Sequence, residues 1–333
     1  MLPPAWDLSH GAVAGVDIGG TQCSVNVGTY GDGHFELISR SQFPTHSRRG
    51  HDQILAEIED GLRAALLRRP DIEVIGISCG GPMDAASGII QSPPNLPGWD
   101  DVPVTARLQE ALGVRCVLEN DANASAVAEW AYGAGRGAAN LIYLTFGTGL
   151  GAGMILDGAP YRGAGNLAGE VGHWRIGPDA GPVHYGKQGS FEGYCSGSGI
   201  LEWYQYFAGN TTDDVALSAE VISRRAREGE ELAMRVFDQA ARQLGNGIAI
   251  LVDALAPELV IVGGIYGYAT DLLESGMWRA FAAEGHPRLV KGTKVVPSRL
   301  GREVGSYASC SVALLDLAAS AVPAGGGRSA PPI

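Results

Sequence analysis

The segment from residue 118 to residue 192 concentrates side chains that could do chemistry. Asp121 follows an apolar strand, and the glycine- and threonine-rich turn Thr145–Gly151 comes after it. Three further polar residues stand in glycine-rich loops: Glu170, His173 and Glu192. A carboxylate can take a proton from a hydroxyl while a glycine turn holds phosphate oxygens with its bare N–H groups. The combination indicates phosphoryl transfer to a hydroxyl.

Two turns have the composition of phosphate-binding loops. The first, Asp17–Thr21, places a carboxylate at a strand end and two glycines in the turn, so that Asp17 would lie near a metal that accompanies the phosphates. A plain β-hairpin turn is the alternative. The second, Thr145–Gly151, holds three glycines and two threonines, which exceeds what a hairpin needs. Gly263 and Gly264 end a third strand, and they either let an adenine ring lie against the backbone or form a tight turn into a helix.

Asp121 is the candidate base. It ends the run Glu119-Asn120-Asp121 after an apolar strand, and ligands of open α/β sheets bind at the carboxyl ends of strands. Helix capping by Asp121 or Asn120 is the alternative, and Asp121 could do both.

The candidate sugar ligands are carboxylates and an amide. Glu170 and Glu192 can accept hydrogen bonds from neutral hydroxyls, although a lone glutamate on a loop is more often solvated surface. Asn95, in the loop Ser92–Trp99, is a further candidate, with a loop-stabilising Asx turn as its alternative.

Bulk composition excludes several classes of protein. The 333 residues suffice for two domains, and the formal net charge of −12, without a Lys/Arg cluster, argues against a nucleic-acid partner. Five scattered cysteines are typical of reduced thiols in a cytoplasmic protein. Neither a signal peptide nor a transmembrane helix is expected, so we predict no membrane partner.

Strands and helices alternate along the chain, which predicts an α/β fold with mixed sheets. The pattern of strand, glycine turn and strand recurs, which indicates two related lobes with a nucleotide held in a cleft between them. We expect a loose leader at 1–11, a small lobe at 1–118 with a returning helix at about 306–321, a large lobe at 119–305, and a disordered tail at 322–333.

Together these motifs resemble the ROK family of bacterial sugar kinases and repressors, in the actin-like ATPase (ribonuclease-H-like) superfamily, over residues 12–321. The segment Leu144–His173 carries the most specific match. The resemblance implies a homodimeric, ATP- and Mg²⁺-dependent kinase acting on the 6-hydroxyl of a hexose or amino-hexose. Glucose is the default substrate; a hexose epimer or an amino sugar such as kanosamine, N-acetylmannosamine or N-acetylglucosamine is the alternative.

The resemblance also assigns residues. It implies a first phosphate loop of Asp17, Gly19, Gly20 and Thr21, a second of Thr145, Gly147, Thr148 and Gly149, and an adenosine contact at Gly263 and Gly264. It implies a sugar site of Gly81, Asn95, Asn120, Asp121, Glu170, His173 and Glu192, with Asp121 as the base.

The sequence departs from the family where members with a structural zinc carry three cysteines. Val183, Tyr185 and Ser190 stand at those positions, so we predict no structural zinc and expect a hydrogen bond to hold His173 instead. A different zinc site built from His173, His184 and Cys195 lacks the usual ligand spacing. Gln22 replaces a common lysine, which leaves ATP and polyphosphate open as donors.

Two other functions are open. A ROK repressor carries a DNA-binding module before the kinase-like part, and here the first phosphate loop already starts at Asp17. A sensor that binds sugar and nucleotide without turnover is the other, and the intact Asp121 argues against it.

Overall fold

The computed structural model describes residue 6, residues 8–209 and residues 217–321. The chain divides into two compact units. Unit 1 runs to Ala131 and resumes at Gly305, and unit 2 runs from Tyr132 to Val304. The helix that follows Asn120 therefore belongs almost entirely to unit 1, whereas the sequence analysis assigned it to the large lobe. The predicted tail at 322–333 lies outside the described residues.

Strands and helices alternate as the sequence predicts. In the first part of the chain they are β1 (Gly11–Ile18), β2 (Gln22–Gly31), β3 (His34–Pro44), α1 (His51–Arg68), β4 (Ile72–Cys79), β5 (Met83–Asp84), β6 (Ile89–Ile90), α2 (Val104–Leu112), β7 (Arg115–Asn120) and α3 (Asp121–Tyr132). Then follow β8 (Leu141–Phe146), β9 (Leu150–Leu156), β10 (Ala159–Tyr161), β11 (Val183–His184), β12 (Lys187–Gln188), α4 (Phe191–Tyr194), α5 (Gly197–Phe207), α6 (Ala219–Arg227), α7 (Glu231–Leu255), β13 (Leu259–Val262), α8 (Ile265–Glu284), α9 (Pro287–Gly292), β14 (Lys294–Pro297) and α10 (Val304–Ala321).

The sheet of unit 1 has the strand order β3-β2-β1-β4-β7. The first three strands pair antiparallel, and β4 and β7 run parallel to β1. The parallel register places Asp17 beside Ser78 and Ser78 beside Glu119. The carboxyl ends of β1, β4 and β7 therefore meet at one edge, which is where Asp17 and Asp121 emerge.

The sheet of unit 2 repeats this plan with the order β10-β9-β8-β13-β14. Again three antiparallel strands are followed by two parallel ones. The turn between β1 and β2 and the turn between β8 and β9 therefore occupy equivalent places in the two sheets. The mixed α/β class and the predicted internal similarity of the two lobes are confirmed.

Helix α1 shows why the helical pattern was readable in the sequence. Its apolar residues Ile54, Leu55, Ile58 and Leu62 recur at helical spacing, and all four are fully buried. They join the apolar core of unit 1 with residues of β1, β2 and β4.

Helix α10 lies directly on the sheet of unit 1. A Cβ added to Gly15 of β1 would lie 2.6 Å from the amide nitrogen of Cys310, and one added to Gly76 of β4 would lie 2.6 Å from that of Ala313. Only glycine lets the helix approach so closely. The segment Gly301–Ala321 is long and apolar enough to cross a membrane, with a mean hydropathy of 1.3, but half of it is buried in the unit, as in the core helix of a globular fold.

The start of the chain differs from the expected loose leader. Strand β1 begins at Gly11, and Trp6 is only 4% exposed because its ring packs edge-on against Trp130 of α3, with 6.5 Å between ring centroids.

Replacement of Gly76 by alanine tests the contact between α10 and the sheet. The new methyl group would overlap the carbonyl oxygen of Ser309, so we expect Gly76→Ala to lower the free energy of unfolding by at least about 2 kcal/mol. Gly292→Ala, at an exposed position with open space around it, is the matched control and should change little. Equal denaturation midpoints for the two variants would contradict the close packing.

Candidate functional site

The first phosphate turn is held by a threonine that the sequence analysis missed. The turn closes through a hydrogen bond of 3.0 Å from the amide of Gly19 to the carbonyl of Gln22. The hydroxyl of Thr45, a fully buried residue, donates to the carbonyl of Gly19 at 2.6 Å, and its amide donates to the carbonyl of Thr21 at 2.9 Å. Thr45 immediately follows β3, so only the strand pairing reveals that it lies behind the turn.

Asn95 lies against this turn. A Cβ on Gly20 would come within 2.7 Å of the Asn95 Cβ and 2.8 Å of its carbonyl oxygen. The loop around Asn95 is anchored by Trp99, which is fully buried and accepts a backbone hydrogen bond of 2.8 Å from Ser92. The structure thus brings a predicted sugar residue, with an exposed side chain, next to a predicted phosphate residue.

Asp17 has an unusual electrostatic environment. Loss of hydration, with a smaller contribution from the nearby charge of Asp121, raises the pKa of its carboxyl group to about 7, although Arg40 opposes the shift. A Cβ on Gly305, in the first turn of α10, would overlap the carboxylate of Asp17, so the helix start encloses it on that side. The charge of a second carboxylate, which raises the proton affinity of Asp17, would also stabilise a cation at this place.

Asn120 provides the helix cap that was the alternative for Asp121. Its Oδ1 accepts from the amides of Ala122 at 2.9 Å and Asn123 at 3.3 Å. Glu119, which is 4% exposed, fixes this corner by accepting from the amide of Asn120 at 3.0 Å. Asn120 therefore keeps only its amide NH₂ for a sugar.

Asp121 is left in the first turn of α3, where its Oδ1 accepts from the amide of Ala122 at 2.8 Å. Its Oδ2 lies 3.8 Å from the position that a Cβ on Gly80 would occupy. Gly81, the predicted sugar residue, comes next and precedes Pro82 through a cis peptide bond. Asp121 thus combines a helix-terminal contact with a place beside Asp17 and the loop after β4.

The second phosphate turn is supported from below by α5. The amide of Gly197 donates to the carbonyl of Gly147 at 2.7 Å. The hydroxyl of Ser198 donates to the backbone carbonyl of Thr148 at 3.0 Å. The hydroxyl of Thr145 accepts from the amide of Gly151 at 2.8 Å, so its side chain holds the strand ends together. The carbonyl groups of the turn are thereby engaged with the protein.

Glu192 connects this turn with the predicted sugar residues. Its Oε2 accepts from the amide of Leu150 at 2.8 Å and from the hydroxyl of Tyr185 at 2.7 Å. A Cβ on Gly149 would lie 2.7 Å from the same oxygen. Burial opposes ionisation of Glu192, but the nearby His184 imidazole and the hydrogen bonds from Leu150 and Tyr185 outweigh it and lower the pKa of the carboxyl group.

His173 is held differently from the expectation. We expected a hydrogen bond, but the contact that the structure shows is a ring stack on Tyr185, with 3.5 Å between the centroids and 26° between the planes. Glu170 stands three residues before His173, is exposed, and contributes to the electrostatic environment of Tyr185.

The three residues that the sequence analysis aligned with zinc cysteines have other surroundings in the structure. Val183 is exposed in β11, Tyr185 stacks on His173, and Ser190 caps α4 by accepting from the amide of Gly193 at 3.1 Å. Cys195 is fully buried and its thiol contacts the carbonyl of Ala240. Within the described ranges, no group of three or more His, Cys, Asp or Glu side chains could hold a metal ion.

Gly263 and Gly264 pack against the second phosphate turn. The amide of Gly263 donates to the carbonyl of Leu144 at 2.9 Å. Gly264 has φ 58° and ψ −120° and precedes α8, and a Cβ there would overlap the carbonyl oxygen of Phe146, directly before Gly147. Only glycine fits this position. The start of α8 and the turn Gly147–Gly149 are therefore neighbours in one unit.

Comparison with known proteins identifies the family. The sequence matches the ROK family over residues 13–301. The chain belongs to the ROK family. A glucokinase of Halalkalibacterium halodurans is 31% identical over 305 residues, which covers 87% of this chain and 91% of that protein.

Solved structures agree with this assignment. The ROK hexokinase of Thermus thermophilus is 31% identical, with a TM-score of 0.77 over 92% of this chain and 99% of that one. The ROK glucokinase of Streptomyces griseus, solved with glucose and AMPPNP, is 29% identical, with a TM-score of 0.73 over 91% of this chain and 99% of that one. The fold is therefore that of the ROK sugar kinases, in the actin-like ATPase superfamily.

Matched relatives carry other names as well. An N-acetylmannosamine kinase of Yersinia pestis is 30% identical, over 83% of this chain and 94% of that one. A xylose repressor of Caldicellulosiruptor bescii is 29% identical, over 79% of this chain and 68% of the repressor. Family membership alone therefore decides neither the sugar nor the distinction between catalysis and regulation.

The raised pKa of Asp17 predicts a pH-dependent cost in stability. Between the unfolded value near 4 and the folded value near 7, the folded state binds more protons, so this group lowers stability as pH rises through that window and keeps it low above it. Asp17→Asn should therefore melt at a higher temperature than the unsubstituted protein at pH 8, in EDTA and without nucleotide. The difference should shrink towards pH 4.

The control is Asp60→Asn, an exposed position on α1. It should not change the pH dependence of the melting temperature. A melting temperature for Asp17→Asn that is equal to or below that of the unsubstituted protein at pH 8 would show that Asp17 is not held at an electrostatic cost.

Gly264 provides a second prediction. Gly264→Ala should weaken AMPPNP binding by at least about tenfold, because a positive φ and overlap with Phe146 force a shift next to the second turn. Gly267→Ala is the matched control, because Gly267 is the third residue of α8 and faces open space. This variant should bind AMPPNP normally. Isothermal titration calorimetry measures the AMPPNP affinity of both variants. Equal affinities would show that Gly264 does not contribute to nucleotide binding.

Proposed function

We propose that this protein is a sugar kinase that transfers the γ-phosphoryl group of ATP to the 6-hydroxyl of a hexose or amino-hexose, with Mg²⁺. The observation that carries this proposal is the position of Asp121, beside Asp17 and directly after β7 at the carboxyl edge of the sheet. Membership of the ROK family supports it.

Asp121 would act as the base. Phosphoryl transfer needs a positioned group that takes the hydroxyl proton, while most of the remaining work is positioning and charge stabilisation. Asn120 and Glu119 fix the corner from which Asp121 projects, through hydrogen bonds of 2.9 Å and 3.0 Å to the start of α3 and to the backbone. A rigid corner keeps the carboxylate at one place relative to the hydroxyl.

The carboxylates fit a magnesium ion. Mg²⁺ usually binds one or two carboxylates and completes its shell with phosphate oxygens and water. Asp17 would supply such a ligand, with Asp121 adding negative charge nearby. Bound Mg²⁺ would neutralise charge on the phosphates.

The two glycine turns would hold the phosphates. Their carbonyl oxygens are engaged by Thr45 in unit 1 and by Gly197 and Ser198 in unit 2. Fixing the carbonyls on the protein side leaves a preorganised backbone whose N–H groups can face phosphate oxygens. Gly263 and Gly264 would lie near the adenosine.

The sugar would be recognised by hydrogen-bond donors and acceptors. The residues that we assign to it are Gly81, Asn95, Asn120, Glu170, His173 and Glu192. Carboxylates accept hydrogen bonds from hydroxyl groups and from an ammonium group alike. Glucose is therefore the first substrate to test and kanosamine the amino sugar of choice, since relatives named glucokinase and N-acetylmannosamine kinase span both classes.

We further propose a cytoplasmic homodimer without structural zinc. A sensor that binds sugar and nucleotide without turnover is the second candidate, because repressors are among the relatives. The two differ in one property: a sensor would release no ADP when sugar is added.

A coupled assay for ADP over a panel of hexoses and amino-hexoses tests the proposal. Polyphosphate should be tried as an alternative donor. Sugar-dependent ADP release is the expected result. If no sugar in the panel raises ADP release above background, while both ligands still bind, the protein is a sensor and the kinase proposal fails.

Replacement of Asp121 by asparagine tests the base. Asp121→Asn should lower kcat by about 10²–10⁴-fold, because general base catalysis is worth that much, while sugar affinity in a binding assay changes little. Asp60→Asn should retain full turnover. Turnover within a few-fold of the unsubstituted protein would show that another group takes the proton.

A further inference from the structure

The hairpin formed by β11 and β12 presents Tyr185 at its tip. His184 pairs with Lys187 across the hairpin, so Tyr185 and Gly186 are the two central residues of the turn. Their φ angles are 54° and 70°. A turn with positive φ at both positions favours Asn-Gly and disfavours a bulky aromatic at the first position. The backbone alone therefore gives no reason for a tyrosine here, and its side chain must be what matters.

The side chain of Tyr185 makes two specific contacts. Its ring stacks on the imidazole of His173 at 3.5 Å between centroids, and its hydroxyl donates to Oε2 of Glu192 at 2.7 Å. Both partners are residues that we assign to the sugar. One side chain thus contacts two binding residues that stand nineteen positions apart on either side of a loop.

The hairpin itself is firmly attached to the unit. Gln188 donates to the carbonyl of Gly181 at 2.7 Å, and Gly181 packs directly on the ring of Trp203 in α5. His184, next to Tyr185, lies 3.1 Å from Glu202 and 3.6 Å from Glu192. The carboxylates of Glu192 and Glu202 raise the pKa of the His184 imidazole, against the effect of burial, which favours a cation between two carboxylates.

Glu192 is the point at which these contacts converge. Its Oε2 receives the Tyr185 hydroxyl and the amide of Leu150, and its Oε1 faces His184. Only 16% of its side chain is exposed. A carboxylate with that many partners is held in one orientation, and removal of one donor would make that orientation less fixed.

We propose that Tyr185 is a positioning residue for sugar binding, which holds His173 through its ring and Glu192 through its hydroxyl. The inference rests on the proposed kinase function for its kinetic consequence, but the positioning itself is a property of the folded chain.

Two variants separate the ring from the hydroxyl. Tyr185→Phe should raise the KM for sugar about fivefold, the effect of one lost hydrogen bond, with kcat within about twofold. Tyr185→Asn should raise the KM for sugar further, because the stack is lost as well. Tyr161→Phe, at an exposed tyrosine in β10, is the matched control and should leave both constants unchanged.

Stability distinguishes positioning from a merely structural role. Because asparagine suits the turn better than tyrosine, Tyr185→Asn should melt at the same temperature as the unsubstituted protein or higher. A variant that is as stable but binds sugar more weakly supports positioning. A large loss of stability in Tyr185→Asn, with an unchanged KM in folded Tyr185→Phe, would overturn the proposal.

Double substitution tests the route through Glu192. In a Glu192→Ala background, Tyr185→Phe should have little additional effect on the KM for sugar, since the acceptor of its hydroxyl is already gone. Full additivity of the two effects would show that Tyr185 acts elsewhere.

A spectroscopic measurement tests the stack without any assay of activity. A ring stack at 3.5 Å should displace the imidazole proton resonances of His173 upfield, and His173→Gln assigns them in histidine-labelled protein. The displacement should persist in Tyr185→Phe and vanish in Tyr185→Asn. If it is unchanged in Tyr185→Asn, the stack does not form and the proposal fails, whether or not the protein is a kinase. An inactive protein with the displacement intact would instead refute the kinase proposal alone.

Discussion

Two carboxylates, those of Asp17 and Asp121, lie close enough to interact at one edge of the sheet of unit 1. The parallel pairing of β1, β4 and β7 puts their carboxyl ends in one row, so that both acids emerge at the same edge. Loss of hydration and the neighbouring charge raise the pKa of Asp17 to about 7, so ionisation of this carboxyl group costs free energy in the folded protein. Such a cost is explained if a cation and a phosphate group are the normal occupants of this place.

The two sheets have the same arrangement. Each consists of three antiparallel strands followed by two parallel ones, and in each sheet a turn between antiparallel strands is rich in glycine. The supports differ, however: a buried threonine after β3 holds the first turn, whereas the start of α5 holds the second. Unit 2 adds Glu192, which joins its turn to the residues assigned to the sugar. One carboxylate thereby contacts both the glycine turn and the hairpin beside the residues assigned to the sugar.

The sequence was sufficient for features that follow from local pattern. The strands around Asp17 and Thr145, the amphipathic helix α1 and the cap at Asn120 were all predictable, because each depends on residues close in sequence. The contacts of Thr45 and Tyr185 were not, since they join residues far apart whose types carry no motif. A tyrosine before glycine in a two-residue turn was the one local signal for Tyr185, and only the backbone angles made it visible. For His173 we expected a hydrogen bond where the structure has a ring stack, because the sequence shows that the cysteines are absent but not what replaces them.

The position of the transferred phosphate shows whether the protein phosphorylates the 6-hydroxyl of a sugar. The protein should be incubated with ATP, Mg²⁺ and the sugar that gives the fastest ADP release, and the product examined by ³¹P–¹H correlation spectroscopy. We expect a phosphorus nucleus coupled to the two protons on carbon 6. Coupling to a single ring proton, or free phosphate released together with unmodified sugar, would contradict it.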